Sequence, residues 1–135
     1  MTRVIMVCAL VAVLCGLAVT EQVCIHNVYA KMGRDTAELI RLVEASPDPK
    51  ETDGHFDQYI VERANELGRY WSKQEKHMTI LIKHIDLSYI SDALIYATNF
   101  IEFDNKEEAL AGLKRLEYLI ETYSGVYGLN GINIL

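Results

Sequence analysis

Two histidines and a carboxylate hold the one constellation in this chain that invites a chemical reading. His77 and His84 stand seven apart, which places them two turns from each other on one helix face, and Asp86 follows directly. On a rise of 1.5 Å per residue their rings start about 10 Å apart, too far to share one ion. Zinc sites on a single helix place ligands three or four positions apart, as in His-Glu-x-x-His, and that pattern does not occur. The two therefore read as exposed or half-buried helix histidines. His55 and His26 have no cysteine or carboxylate at a notable ligand spacing, and no glycine-rich phosphate loop, serine elbow or Cys-x-x-Cys is present. Glu107, Glu108, Glu117 and Glu121 alternate with Lys106, Lys114 and Arg115, the pattern of a solvated, salt-bridged face. The expectation is a chain with no catalytic residue, no cofactor and no metal. Its weak binding candidates are His77, His84 and Trp71.

Trp71 is the single tryptophan, set in Tyr70-Trp71-Ser72-Lys73 on an apolar helical stripe. A tryptophan there is core more often than interface anchor, although aromatics do concentrate binding energy. The same holds for the tyrosines, among them Tyr59, Tyr89, Tyr96, Tyr118 and Tyr127. They line a groove or occupy half-buried helix edges.

These side chains need elements to position them, and the first element is of another kind. From Val4 to Val19 the chain is apolar without interruption, with Arg3 before the run and Glu21 after it. That charge asymmetry keeps the N-terminus in the cytoplasm and exports the remainder of the chain. Sixteen residues exceed most signal-peptide apolar regions and fall short of the ~20 that span a bilayer core. Ala18 with Thr20, or Gly16 with Ala18, offers a small-residue cleavage pair, which leaves a secreted form open. Val23, Cys24 and Ile25 resume the apolar character and favour an anchor running on into the domain. Residues 1–22 are read as the anchor or signal segment and 23–135 as an extracytoplasmic domain.

Cys8 and Cys15 lie inside the run, preceded by Val7 and Leu14 where a lipoprotein signal needs a small residue. Cys24 alone lies outside it, so no internal disulfide is expected. Beyond Arg3 the chain holds 12 basic and 19 acidic residues, a formal charge of −7. Such a domain repels phosphate backbones, which excludes nucleic acid as the expected partner, and it disfavours lying flat on an anionic membrane.

Apolar residues recur at three or four positions in four stretches, and no comparable stretch alternates with period two, so the fold class expected is all-α. The first helix continues from the anchor to Ala45, where Ser46-Pro47-Asp48-Pro49 ends it. The second is read from near Asp53 to Ile85, where Gly68 marks either a bend or, as the preferred reading, close packing against another helix. Asp86 or Ser88 caps the third, which ends at Phe103. Asp104 with Glu107, or Asn105 with Glu108, caps the fourth, which stops at Ser124-Gly125. Short connections make the last three antiparallel neighbours in a small bundle. The tail from Val126 to Leu135 is expected to fold back over it.

The order of Trp71-Ser72-Lys73, Ile82-Lys83-His84-Ile85-Asp86, Ile90 with Leu94, Asp104-Asn105-Lys106-Glu107-Glu108-Ala109-Leu110 and Ile132-Asn133-Ile134-Leu135 resembles the bacterial domain of unknown function family 4363 (DUF4363). The resemblance covers about half of the chain. It implies a bacterial, membrane-anchored, extracytoplasmic helical domain, and it brings no activity, substrate or catalytic residue. The functional expectation is a non-catalytic interaction or scaffold module that meets an envelope protein or a second copy of itself. The alternative is a small-ligand or metal-binding protein using His77, His84 and Asp86.

Overall fold

The computed structural model describes residues 2–52 and 54–127, without the side chains of Thr2 and Arg3. The fold is all-α, with no strand among the described residues. Helix α1 spans Thr2–Ala45, α2 is one turn at Pro49–Thr52, α3 spans Gln58–Met78, α4 His84–Glu102 and α5 Lys106–Tyr127. The expected fold-back of the tail concerns residues 128–135, which lie outside the described residues, as does Asp53.

Helix α1 has two halves of opposite character. From Val4 to Val19 its large apolar side chains are 52–68% exposed. From Ile25 onward Val28, Tyr29, Met32, Leu39 and Val43 are buried, at the three- and four-residue spacing that makes one face of a helix. The helix runs unbroken between the halves. Pro47 and Pro49 end it, and Lys106 caps it from α5, its ammonium donating to the carbonyls of Glu44 at 3.0 Å and Ser46 at 2.5 Å. A cation on the last free carbonyls of a helix meets the negative end of its dipole.

The bundle is a ring in which α1 packs on α3, α3 on α4, α4 on α5 and α5 back on α1. Asp57 begins α3, its carboxylate accepting from the Tyr59 amide at 2.8 Å. Asn105 begins α5 and accepts from the Glu108 amide at 3.4 Å, one of the two expected caps. Ala93, Ala97, Ala109 and Gly112 make the α4–α5 seam small and close, with Leu113 and Leu116 filling the space beside it.

Four expectations are corrected. The second helix ends at Met78 instead of running on to Ile85, and residues 79–83 turn the chain, so Ile85 stands 58% exposed on α4. With Lys83 at the N-cap and making no side-chain cap bond, Asp86 lies inside the first turn of α4 instead of capping it. The close-packed glycine is Gly112 and not Gly68: a Cβ on Gly68 meets nothing within 4 Å, whereas on Gly112 it would lie 2.9 Å from the Ala97 Cα. Helix α5 also runs through Ser124-Gly125 to Tyr127.

Candidate functional site

Polar side chains gather at two places in the bundle. The first is a hollow of about 180 Å³ between α3 and α4, lined by Gly68, Trp71, Ser72, Glu75, Ile95 and Thr98 among others. The missing side chain of Gly68 leaves the hollow open. Trp71 is 2% exposed at its base and donates its indole N–H to the Ser91 hydroxyl at 2.7 Å. The Ser91 hydroxyl is 2.9 Å from the Glu75 carboxylate and 3.1 Å from the Leu87 carbonyl, and its single proton serves one of them at a time. Trp71 is thus a core residue whose polar edge is fixed, as its stripe position indicates.

The second place is the end of the bundle at which α1 arrives from its bare half. There the Tyr127 hydroxyl, near the end of α5, donates to the Asp86 carboxylate at 2.5 Å. Burial first, then that bond and the carboxylate's charge, push the Tyr127 phenol up to about 12. Tyr123 is raised by the same causes in another order, burial first and then the charge of Asp86. Tyr29, from α1, is 1% exposed, its hydroxyl has no hydrogen-bond partner, and burial above all raises its phenol. A carboxylate ringed by three protonated phenols is a packing device. Burial and the charge of Asp86 raise all three phenols, so each is protonated at neutral pH.

Of the tyrosines singled out from sequence, Tyr127 joins this cluster, and Tyr89 lies near enough to Tyr123 to help raise its phenol. Tyr59, Tyr89, Tyr96 and Tyr118 are 41–66% exposed on three different helices, nearer to the helix-edge reading than to a shared groove. Tyr29 and Tyr123 were missed, because nothing local links residue 29 to residues 86 and 123. His77 and His84 are exposed on either side of the α3–α4 turn, while Asp86 is turned to Tyr127. Among the described residues no three His, Cys, Asp or Glu side chains are placed to hold a metal ion.

A third polar contact holds the long loop. Asp104, in the left-handed region at φ 55°, accepts from the Phe56 amide at 2.8 Å and pairs with the His55 ring nitrogen at 2.5 Å. The bond from His55, with the smaller help of the Phe56 amide, holds the Asp104 carboxyl below its usual range. The larger hollow along Glu38, Arg41, Leu42, Glu44 and Ala45, about 730 Å³, is a broad depression on one side of α1, where Glu38 pairs with Arg63 at 2.9 Å and Glu44 with Lys114 at 2.9 Å.

No curated protein and no solved structure matches the chain significantly. Residues 60–127 match the family described as Domain of unknown function (DUF4363), a stretch that takes in α3 from Ile60, all of α4 and all of α5, and with them the hollow and the Asp86 cluster apart from Tyr29. That stretch is half of the chain, and the chain belongs to the DUF4363 family.

Proposed function

We propose that this chain is a non-catalytic interaction module held on the outer face of the cytoplasmic membrane of a bacterium, where the α3–α4 face meets a protein partner. The observation that carries the reading is α1 itself. One unbroken helix presents a bare apolar surface over Val4–Val19 and then becomes a wall of the bundle core from Ile25. A continuous apolar surface of this kind has no stable place in water. The run measures about 24 Å along the axis, close to a hydrocarbon core of about 30 Å, and local thinning accommodates the difference. Thr20 adds to the span because its hydroxyl donates to the Gly16 carbonyl at 2.8 Å, which satisfies it without water. Arg3 on one side and Glu21 on the other orient the bundle outward.

The partner-binding part rests on the hollow beside Gly68, with Ile95 57% exposed at its rim.

The test is intact mass and fractionation of the full chain in a bacterial host, combined with a photo-crosslinking residue at Ile95. Full mass in the membrane pellet and a discrete crosslinked species support the reading, and a species of twice the mass identifies a second copy as the partner. A shortened soluble form overturns the anchor. An absence of any crosslink above that of a control position, Lys50, overturns the partner face.

A further inference from the structure

We infer that the α3–α4 turn is a membrane-docking tip, by which the bundle rests its near end on the anionic lipid surface that α1 has just left. The inference builds on the anchor reading above and adds a second contact with the same bilayer.

The turn has the wrong composition for an ordinary loop. Residues 79–83 read Thr-Ile-Leu-Ile-Lys, without the glycine, proline, asparagine or aspartate that usually reverse a chain. Met78 and Ile82 are buried and hold the turn to the core, while Ile80 is 88% exposed, the most exposed large apolar side chain among the described residues. Ile85 at 58%, Val126 at 59% and Val23 at 43% are bare at the same end. Tyr89, at 43%, lies one turn further up α4, where an aromatic residue suits a membrane interface.

The geometry brings this tip to the right height. Lys31 stands over the Tyr70 ring at 4.7 Å, and Glu38 pairs with Arg63 at 2.9 Å, so α1 and α3 run antiparallel in a register that holds over both contacts. Carried along the helices, that register sets Met78 level with Val23 and the turn beyond it level with Thr20, Glu21 and Gln22. Those positions follow the end of the apolar run by one to three residues, about 2–5 Å along the axis. The headgroup layer on each side of a bilayer is about 5–7 Å thick. The turn therefore lies within it.

The charge fits as well. The domain as a whole is acidic, yet residues 76–85 hold Lys76, His77, Lys83 and His84 and no acid. The flanking carboxylates keep their charge but are half-buried and turned inward, Glu75 to Ser91 and Asp86 to Tyr127, whereas Lys76, His77, Lys83 and His84 are exposed. Glu21 on α1 is the acid at the same level. Apolar side chains between lysines are the composition that anionic lipid headgroups attract. The net acidity that argues against the domain lying flat on such a surface leaves this end free to meet it.

The test uses the full chain reconstituted in vesicles of phosphatidylcholine and phosphatidylglycerol containing brominated acyl chains, which quench nearby tryptophan. In a Trp71→Phe background a tryptophan replaces Ile80 (I80W) or, as the control, Phe103 (F103W). Phe103 is 74% exposed in the turn at the opposite end of the bundle. The expected result is at least twofold stronger quenching for I80W than for F103W, together with a blue-shifted emission that reverts in vesicle-free detergent. Equal quenching in a protein that floats with the vesicles overturns the tip and leaves the anchor standing. A protein that does not float overturns both.

Discussion

Gly112 and Gly68 sit in the middles of two helices, and the structure predicts that alanine at each has opposite consequences. A Cβ at Gly112 would lie 2.8 Å from Tyr96 Cδ1, 2.9 Å from Ala97 Cα and 3.0 Å from Ala97 Cβ. The Tyr96 ring can swing aside, but the two Ala97 atoms move only with α4, so the seam between α4 and α5 must open. Replacing a helical glycine by alanine gains about 1 kcal/mol of helix propensity. Overpacking a close seam costs about 1–3 kcal/mol, and contact with backbone belongs at the upper end. The difference leaves Gly112→Ala destabilised by about 2 kcal/mol. At about 4–8 °C per kcal/mol for a domain of this size, its Tm falls by about 8–16 °C. Gly68→Ala meets nothing within 4 Å and keeps only the propensity gain, so its Tm rises by about 4–8 °C. Thermal unfolding of the full chain in detergent, followed by circular dichroism, measures both. A Gly112→Ala protein that melts at or above the unsubstituted chain would refute the seam as described.

The remaining predictions concern polar groups. Asp104→Asn keeps a residue that tolerates the left-handed region and removes the carboxylate that His55 and Phe56 bind, at a cost of about 1 kcal/mol or less because the pair is solvent-screened. Because the folded Asp104 carboxyl titrates below its usual value, its stabilisation is complete above the ordinary carboxylate range and disappears as pH falls through the depressed value. Denaturant curves of the two proteins should differ at pH 7 and draw together as pH falls through the depressed Asp104 value, and a difference that stays constant across the acid range would contradict this. Ser91→Ala leaves the buried Trp71 indole N–H without an acceptor and should cost about 1–3 kcal/mol, read by the quenching and unfolding of the one tryptophan. Thr36 is fully buried and its hydroxyl has no partner, so Thr36→Val, of the same shape, should raise stability by about 1 kcal/mol in denaturant titration. A loss would mean that the hydroxyl is bonded in solution.

Much of the architecture was legible because it is local. The end of α1 at Ala45 follows from Pro47 and Pro49, and the start of α5 follows from Asn105 three residues before Glu108. The break at Met78 was not legible, since Met78, Leu81, Ile82 and Ile85 continue the helical spacing and no glycine or proline interrupts them. The chain turns there because Met78 and Ile82 are both held in the core while α4 must return along α3. Trp71 was legible as core from its stripe, whereas its partner Ser91, twenty residues on, was not.

The sequence by itself determined that the chain is helical, that its first helix is apolar on every face over Val4–Val19, and that no metal motif or nucleophile elbow is written into it. Periodicity, prolines and caps act over one or two turns, so they can be read without a fold. Tertiary structure alone decided which glycine is pressed against a neighbour, that Asp86 lies with Tyr29, Tyr123 and Tyr127, and which residues of α1 and α3 face each other, as Lys31 does Tyr70 and Glu38 does Arg63. Each of these depends on where helices distant in the chain meet, and spacing within one helix carries no record of its neighbour.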